Sequence, residues 1–506
     1  MTYDFDALLD RVEKPARYTG GEMNAEVKPI SQAEISFAFC FPDTYEVAMS
    51  HLGMKILYGI LNELPYAVCE RVCMPWVDMR CELRKNNIPL CSLESHTPLS
   101  RFDIIGFTLQ YEMSYTNVLE MMDLGGVPVL SSERGEDDPI VLAGGPCAFN
   151  PEPLHLFIDA FLIGDGEDSI VEVTDVLNAC KKEGVPRAER LKRLASLRGV
   201  YVPGFYHDEY NADGTLKSLE PTDPCAPPRV LRSILTDFEN AYVPTNPPVP
   251  YIQPVFDRIM LEIMRGCTRG CRFCQAGMLY RPVRERSVDK LVELAKESVK
   301  NTGYEEISLS SLSSSDYSCI SELAGRLTDE LRDQRVSLSL PSLRVDKFVQ
   351  DTLTHTQKVK KSSLTFAPEA GTQRLRDVIN KNVTEADLVN TLTNAFSNGW
   401  NAVKLYFMTG LPTETDEDLI GIAELAKTAA GAYYSVPKEK RVKGLRITCS
   451  AAVFVPKPFT PFQWARMCTK EEFLDKAYIV NSEIKAQLNK KSIKYNWHEA
   501  DVTVLE

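Results

Sequence analysis

The residues best suited to chemistry are three closely spaced cysteines, Cys267, Cys271 and Cys274. They lie within eight residues of one another, and the next cysteine along the chain is Cys319. A structural zinc site is closed by four protein ligands, and a simple electron-transfer cluster is usually held by four thiolates. Three thiolates around an iron–sulfur cubane leave one iron open to a substrate or cofactor, as in a catalytic metal site. The alternative is a zinc knuckle that a ligand from elsewhere in the chain completes.

The sequence around the cysteines predicts a tight loop. Gly266, Gly270 and Gly277 are spread along it, and glycine permits positive φ angles and a close approach of the backbone to an inorganic core. A short loop also has a low entropy cost of closure. We therefore expect all three thiols to converge on one group.

The spacing Cys-x3-Cys-x2-Cys, with Phe273 directly before the last cysteine, resembles the signature of the radical SAM enzymes. The resemblance implies that Cys267, Cys271 and Cys274 are both the metal ligands and the catalytic centre. In that family the open iron of a [4Fe-4S] cluster chelates the amino and carboxylate groups of S-adenosylmethionine (SAM). Reductive cleavage then gives a 5'-deoxyadenosyl radical, and a reductant such as flavodoxin or ferredoxin is the implied partner.

The same resemblance implies further cofactor contacts, besides Phe273 itself. Ser313 stands in the serine run where relatives carry a Gly-Gly-Glu that binds the methionyl amine. Glu369 is implied for the ribose hydroxyls, with a plain helix cap as its alternative role, and Arg374 closes the same segment. Lys381 is implied for the SAM carboxylate. Gly410 opens a Gly-Leu-Pro-Thr-Glu-Thr segment that is similar to one placed near the adenosyl group in related branches.

Alternating apolar and helical patterns after residue 258 predict six parallel strands joined by helices. Such units form an open (β/α)6 barrel, and the cysteines follow its first strand at the carboxyl end, where barrels of this kind place their active sites. The predicted strands are 259–264, 307–309, 336–340, 363–367, 403–408 and 446–455. The predicted helices are 288–300, 317–333, 346–355, 371–380, 384–398 and 415–431.

The amino-terminal part predicts a doubly wound α/β domain, with strands at 35–41, 103–108, 140–143 and 157–163 and helices at 45–64 and 113–124. Its segments 144–152 and 159–167 resemble the cobalamin-binding domain that often precedes radical SAM barrels. The Asp-x-His-x-x-Gly motif for an axial imidazole is absent, and His51 stands out of place for that role. The resemblance therefore leaves open whether the domain binds cobalamin. The alternative role for His51 is that of a packed, hydrogen-bonded residue of the helix.

These patterns predict a cobalamin-binding-like domain at 1–180, a proline-rich linker at 181–250 and a radical SAM barrel at 251–490. Residues 491–506 are expected to begin a truncated C-terminal extension, so that a separate partner domain would be missing.

Composition narrows the classes of partner. The chain has 506 residues and a formal net charge of −13, which disfavours broad capture of a phosphate backbone. Six arginines between 265 and 286 stand against one acid, Glu285. They either brace the loop and balance an anionic cluster or receive an anionic substrate or an RNA end. No apolar run is long enough to span a membrane, and the acidic start is unlike a secretory signal, so we expect a cytoplasmic protein without a membrane partner.

The leading functional hypothesis is a radical SAM enzyme that activates a C–H bond or transfers a group on an unknown substrate. A methyltransferase and a methylthiotransferase-like modifier are its two versions. The latter would need a second cluster, for which Cys69, Cys73 and Cys81 are the nearest group of cysteines. The alternative class is a redox or metabolite sensor that binds cluster and SAM without turnover.

Overall fold

The computed structural model describes residues 5–340 and 364–506. The chain forms two compact units, Met1–Asp257 with Lys300–Gly303, and Arg258–Val299 with Tyr304–Glu506. The predicted helix at 346–355 lies outside the described residues. Across the described ranges, no helix combines the length and the apolar character needed to cross a membrane.

The first unit is built on a six-stranded sheet of order β2-β1-β3-β4-β5-β6. The first five strands are parallel, and the last pairs antiparallel with β5. The strands are β1 Ile35–Phe41, β2 Ala67–Cys73, β3 Ile104–Thr108, β4 Ile140–Gly144, β5 Ala160–Leu162 and β6 Val200–Tyr201. The helices are Asp6–Leu9, Tyr45–Ala48, Leu52–Glu63, Val77–Asn86, Tyr115–Leu124, Glu167–Glu183 and Arg187–Ala195.

Both faces of this sheet are covered. All seven residues of β1 are buried; Ala38 and Cys40 join one hydrophobic cluster, whereas Phe37, Phe39 and Phe41 join another. A central parallel strand buried on both faces is continuously apolar, which is why the sequence revealed it. The strand order reverses beside β1, as in doubly wound folds that bind ligands at that switch point. The doubly wound prediction is confirmed.

The predicted linker differs from the structure over much of its length. A helix at Arg187–Ala195 and strand β6 belong to the first unit, and a hairpin of β7 Tyr206–Tyr210 and β8 Leu216–Pro221 follows. The proline-rich composition suggested an extended chain, but the short elements between the prolines pair locally. The two units meet along the chain at 257/258.

The second unit contains two parallel sheets, ordered β13-β12-β9 and β14-β15-β16-β17. The strands are β9 Ile259–Glu262, β12 Glu306–Ser310, β13 Ser337–Ser339, β14 Leu364–Glu369, β15 Ala402–Thr409, β16 Arg446–Val453 and β17 Ile493–Trp497. Two short strands, β10 Met264–Arg265 and β11 Arg284–Glu285, form a separate ladder. The helices are Ala276–Leu279, Val288–Thr302, Ile320–Glu330, Gln373–Val378, Glu385–Ser397, Asp416–Ser435, Lys470–Ala486 and Ala500–Leu505.

The six predicted barrel strands are all present, and the partial-barrel prediction is confirmed. Strand β17 is a seventh strand that the sequence pattern did not reveal. In the four-stranded sheet, alternate residues such as Val403, Leu405 and Phe407 pack into the helix-covered core. The intervening residues occupy the opposite face, because successive side chains of a strand point to opposite sides.

Candidate active site

The cysteine loop is closed at its base. Strands β10 and β11 pair antiparallel, with Met264 opposite Glu285 and Arg265 opposite Arg284. Gly266 begins the loop with a φ of 92°. A Cβ at Gly266 would lie 2.6 Å from the Tyr280 carbonyl oxygen and 2.7 Å from that of Pro282. Only glycine fits there, because both the backbone angle and the space exclude a side chain.

A second glycine supports a cysteine directly. The backbone N–H of Gly277 donates to Cys274 Sγ over 3.4 Å, and hydrogen bonds to ligand sulfurs tune iron–sulfur clusters. Burial raises the pKa of the Cys274 thiol, and this N–H opposes the rise. Metal binding would require the deprotonated thiolate.

The loop is hydrogen-bonded to the residues that follow the helix Gln373–Val378. The Arg272 N–H donates to the Ile379 carbonyl oxygen over 3.0 Å, and Asn380 Nδ2 donates to the Gly270 carbonyl oxygen over 3.0 Å. Phe273 packs against a hydrophobic cluster that includes Phe454. Phe273 therefore anchors the loop through apolar contacts. Its predicted contact with the cofactor remains a prediction.

Glu369 and Lys381 lie together beside this loop. Lys381 Nζ donates to Glu369 Oε1 over 3.0 Å, and the side chains are 14% and 15% exposed. Both groups interact electrostatically with Cys274, as does Cys267. Glu369 ends β14 with a φ of 68°, a strained angle for a residue with a side chain. Such strain clusters at functional sites, so the structure brings together two of the sequence-predicted cofactor residues and two of the cysteines.

Ser313 is buried and donates to Asp316 Oδ2 over 2.8 Å. Asp316 also accepts from Arg269 Nε of the cysteine loop over 2.8 Å. The serine run thus supports the loop through Asp316, a residue that sequence reasoning did not select. Its only signal was its place at the end of the serines after β12.

Arg374 occupies a bracing position. Its guanidinium donates to the Thr413 carbonyl oxygen over 2.8 Å and pairs with Asp418. Thr413 has a φ of 67°, so the arginine holds a strained turn after β15. This use of the guanidinium was not foreseen, and the predicted cofactor role of Arg374 stays a prediction.

Gly410 turns the chain after β15 with a φ of 80°. Its N–H donates to Glu414 Oε1 over 2.9 Å, and Lys476 Nζ donates to the same oxygen over 2.9 Å. Burial raises the pKa of the Glu414 carboxyl. The motif that contains Gly410 is therefore fixed from within by its own glutamate.

Most loop arginines make structural contacts. Arg265 pairs with Glu262 at 3.0 Å, Arg269 with Asp316, and Arg272 donates to the Val378 carbonyl oxygen. Arg284 donates to the Tyr280 carbonyl oxygen over 3.4 Å. These contacts favour the bracing interpretation over an anion site in the loop itself.

The donor set fits an iron–sulfur cluster better than a zinc ion. Within residues 5–340 and 364–506, no three metal-ligating side chains gather around a position for a single metal ion. Three thiols on one closed loop, one of them with a backbone N–H, suit a larger thiolate-bound group. Cys69 is fully buried in β2, whereas Cys81 is exposed, which gives no support to a second cluster there.

His51 has a structural role in the first unit. Its Nδ1 accepts the Met54 N–H over 3.0 Å and caps the helix Leu52–Glu63. Burial lowers the pKa of His51 to about 4, and a hydrogen bond with Gln110 opposes the shift. With its ring engaged in these contacts, His51 does not fit the role of an axial cobalt ligand.

Comparison with known families matches both units. Residues 261–426 match the Radical SAM superfamily, and residues 53–203 match the family described as Radical SAM proteins, N-terminal. The chain is 32% identical over 427 residues to uncharacterized protein MJ0966 of Methanocaldococcus jannaschii, across 84% of this chain and 78% of that protein.

Solved structures share the fold at low identity. The cobalamin-dependent SAM radical enzyme OxsB, with aqua-cobalamin and SAM bound, aligns with a TM-score of 0.54 and 15% identity over 91% of this chain. The chain covers 58% of OxsB. The radical SAM methyltransferase TsrM from Kitasatospora setae, with cobalamin and a [4Fe-4S] cluster bound, aligns with a TM-score of 0.55 and 12% identity, over 85% of this chain and 77% of TsrM.

The three-cysteine loop, the partial barrel and the family matches agree with one another, and family membership implies a [4Fe-4S] cluster and SAM as cofactors. The chain belongs to the radical SAM superfamily.

Proposed function

We propose that this protein cleaves SAM reductively and uses the product radical for C–H activation or group transfer on a substrate. The observation that carries the proposal is the Glu369–Lys381 ion pair next to the loop that supplies three thiols, where the adjoining Asn380 donates to the Gly270 carbonyl oxygen. When bound, the cluster supplies the electron that breaks the SAM sulfonium into methionine and a 5'-deoxyadenosyl radical.

The chain's own residues hold and orient the cofactors in this proposal. Cys267, Cys271 and Cys274 ligate three irons as thiolates. Lys381 offers an ammonium to the SAM carboxylate, and Glu369 offers a carboxylate oxygen to the ribose hydroxyls. A small misplacement of these contacts would lower the reaction rate, because the reacting atoms must be held in a defined geometry.

An apolar cluster lies at the loop. Phe273, Met408 and Phe462 pack against Leu411 and Phe454. A dry surrounding protects a reactive intermediate from side reactions. We infer that this cluster forms one wall of the reaction chamber.

Methyl transfer is the version of group transfer that the shared fold supports, since TsrM is a methyltransferase. His51 is not placed to supply an axial imidazole for cobalamin, because its ring caps a helix. Adding hydroxocobalamin to the purified protein and recording the corrinoid absorption tests whether the first unit binds it.

The function is tested by anaerobic reconstitution with iron and sulfide, followed by SAM and dithionite, with 5'-deoxyadenosine measured by chromatography. We expect nucleoside formation in the wild type and its loss in Cys271→Ser. Cys319→Ser is the matched control, because Cys319 lies outside the loop, and it should retain formation. A protein that binds the cluster and SAM yet forms no nucleoside would contradict the proposal and favour a sensor.

A further inference from the structure

The face of the four-stranded sheet that points away from the helix-covered core carries several cationic side chains. Successive residues of β14–β17 point to opposite faces of the sheet, and the apolar residues of one face pack against the helices. The opposite set includes every cation in these four strands, namely Lys404, Arg446 and Lys494. The single acid in the four strands is Glu369, which is paired with Lys381. Apart from this paired carboxylate, the charged side chains of these four strands are all positive, although the chain as a whole has a net charge of −13.

Two of these lysines flank a hydroxyl. In the sheet register Lys404 lies opposite Thr448, and Thr448 lies opposite Lys494. Their Cα atoms are therefore two strand spacings apart, about 10 Å. Two ammonium groups at this separation can reach one anionic group placed over Thr448. Among the described residues, neither lysine pairs with a carboxylate.

Lys404 is also held in place. Its Nζ donates to the Tyr406 hydroxyl over 2.6 Å and lies 4.3 Å from the centroid of that ring. Tyr406 itself is 37% exposed, so the pair is accessible. Because the hydroxyl and the ring of Tyr406 already orient the ammonium group of Lys404, less conformational entropy is lost when that group binds an anion.

The same face leads to the cysteine loop. Met408 follows Tyr406 on this side of β15 and packs against the hydrophobic cluster that also holds Phe273. Met408 lies four positions after Lys404, which is about 13 Å along a strand. Lys404 thus lies about 13 Å along the strand from a residue that packs against the same cluster as Phe273.

We propose that Lys404 and Lys494 bind the phosphate or carboxylate group of an elongated small-molecule substrate whose reacting carbon lies toward the cysteine loop. The two ammonium groups complement an anionic group in charge, and the face that carries them is continuous with the active site. It rests on the proposed function and names the substrate class for that site.

The test measures anion binding by the reconstituted full chain with isothermal titration calorimetry, without SAM or reductant. Sodium pyrophosphate and citrate are the probes, and their relative affinities distinguish a phosphate from a carboxylate substrate. The double variant Lys404→Gln/Lys494→Gln should bind the preferred probe more weakly, by about tenfold for each lost charged contact. Lys404→Arg/Lys494→Arg should retain most of the affinity because the charge is kept.

The matched control is Lys427→Gln/Lys470→Gln, which removes two lysines of surface ion pairs with Glu424 and Asp501 and should leave probe binding unchanged. Equal affinity of the wild type and the Lys404/Lys494 glutamine variant, or no binding of either probe, would overturn the proposal. Because this readout needs no turnover, a failure of SAM cleavage would count against the proposed function and not against the anion site.

Discussion

Replacing Gly266 with alanine tests whether the cysteine loop depends on its closed base. The φ of 92° costs a residue with a side chain about 1–2 kcal/mol in the left-handed region. The added Cβ would also lie 2.6 and 2.7 Å from two backbone carbonyl oxygens, and relieving such overlap costs about 1–3 kcal/mol more. The loop should therefore shift at a total cost of about 2–5 kcal/mol.

The assay is iron and sulfide content after anaerobic reconstitution, with circular dichroism as a check of folding. Gly266→Ala should lose most of the cluster while the secondary structure remains. Gly270→Ala should show a smaller loss, because its φ is 69° but the nearest atom, Asn380 Nδ2, is 3.5 Å from the added Cβ. Gly277→Ala is the control, since its Cβ would make an ordinary 3.6 Å contact with Cys274 Sγ. Normal iron content in Gly266→Ala, or an equal loss in Gly277→Ala, would refute the reasoning.

Two further predictions concern charged groups. Lys381→Met should weaken SAM binding about tenfold or more, as expected for the loss of a hydrogen bond to a charged group. Equilibrium dialysis measures this affinity, and an affinity equal to that of the wild type would mean that Lys381 does not contact SAM. His51 has its pKa lowered to about 4 by burial, so the native state binds fewer protons than the unfolded state below about pH 6.5. Its contribution to stability, up to about 3 kcal/mol, should be lost as the pH falls from 6.5 toward 4. His51→Asn keeps a capping acceptor for the Met54 N–H and should flatten that part of the denaturation profile, whereas His207→Asn should not.

The sequence revealed strands whose burial matches their apolar pattern. β1 and β15 are examples, because continuous or alternating apolar residues follow from sheet packing. β2 was missed because Glu70 and Arg71 interrupt its apolar run. In the structure Arg71 is fully buried, with Glu22 at 2.7 Å and Glu94 at 2.6 Å. Partners this distant in the chain cannot be read from a local pattern.

In the candidate site, too, only the features that follow from a local sequence pattern were predicted. The cysteines were found because their ligand chemistry fixes a short spacing. Asn380 and Asp316 were not found, because each acts by holding the loop, through the Gly270 carbonyl oxygen and the Arg269 guanidinium. Such contacts depend on how separate segments of the chain meet in three dimensions. Residue type alone gives no sign of them.

The central claim is that three thiolates hold a cluster with one iron open to SAM. Electron paramagnetic resonance of the reduced, reconstituted protein, recorded before and after SAM is added, tests it most directly. We predict a [4Fe-4S] signal that changes when SAM binds, because the amino and carboxylate groups occupy the open iron, and no such signal in Cys274→Ala. A signal that is identical with and without saturating SAM would mean that SAM does not bind to the open iron and would contradict the claim.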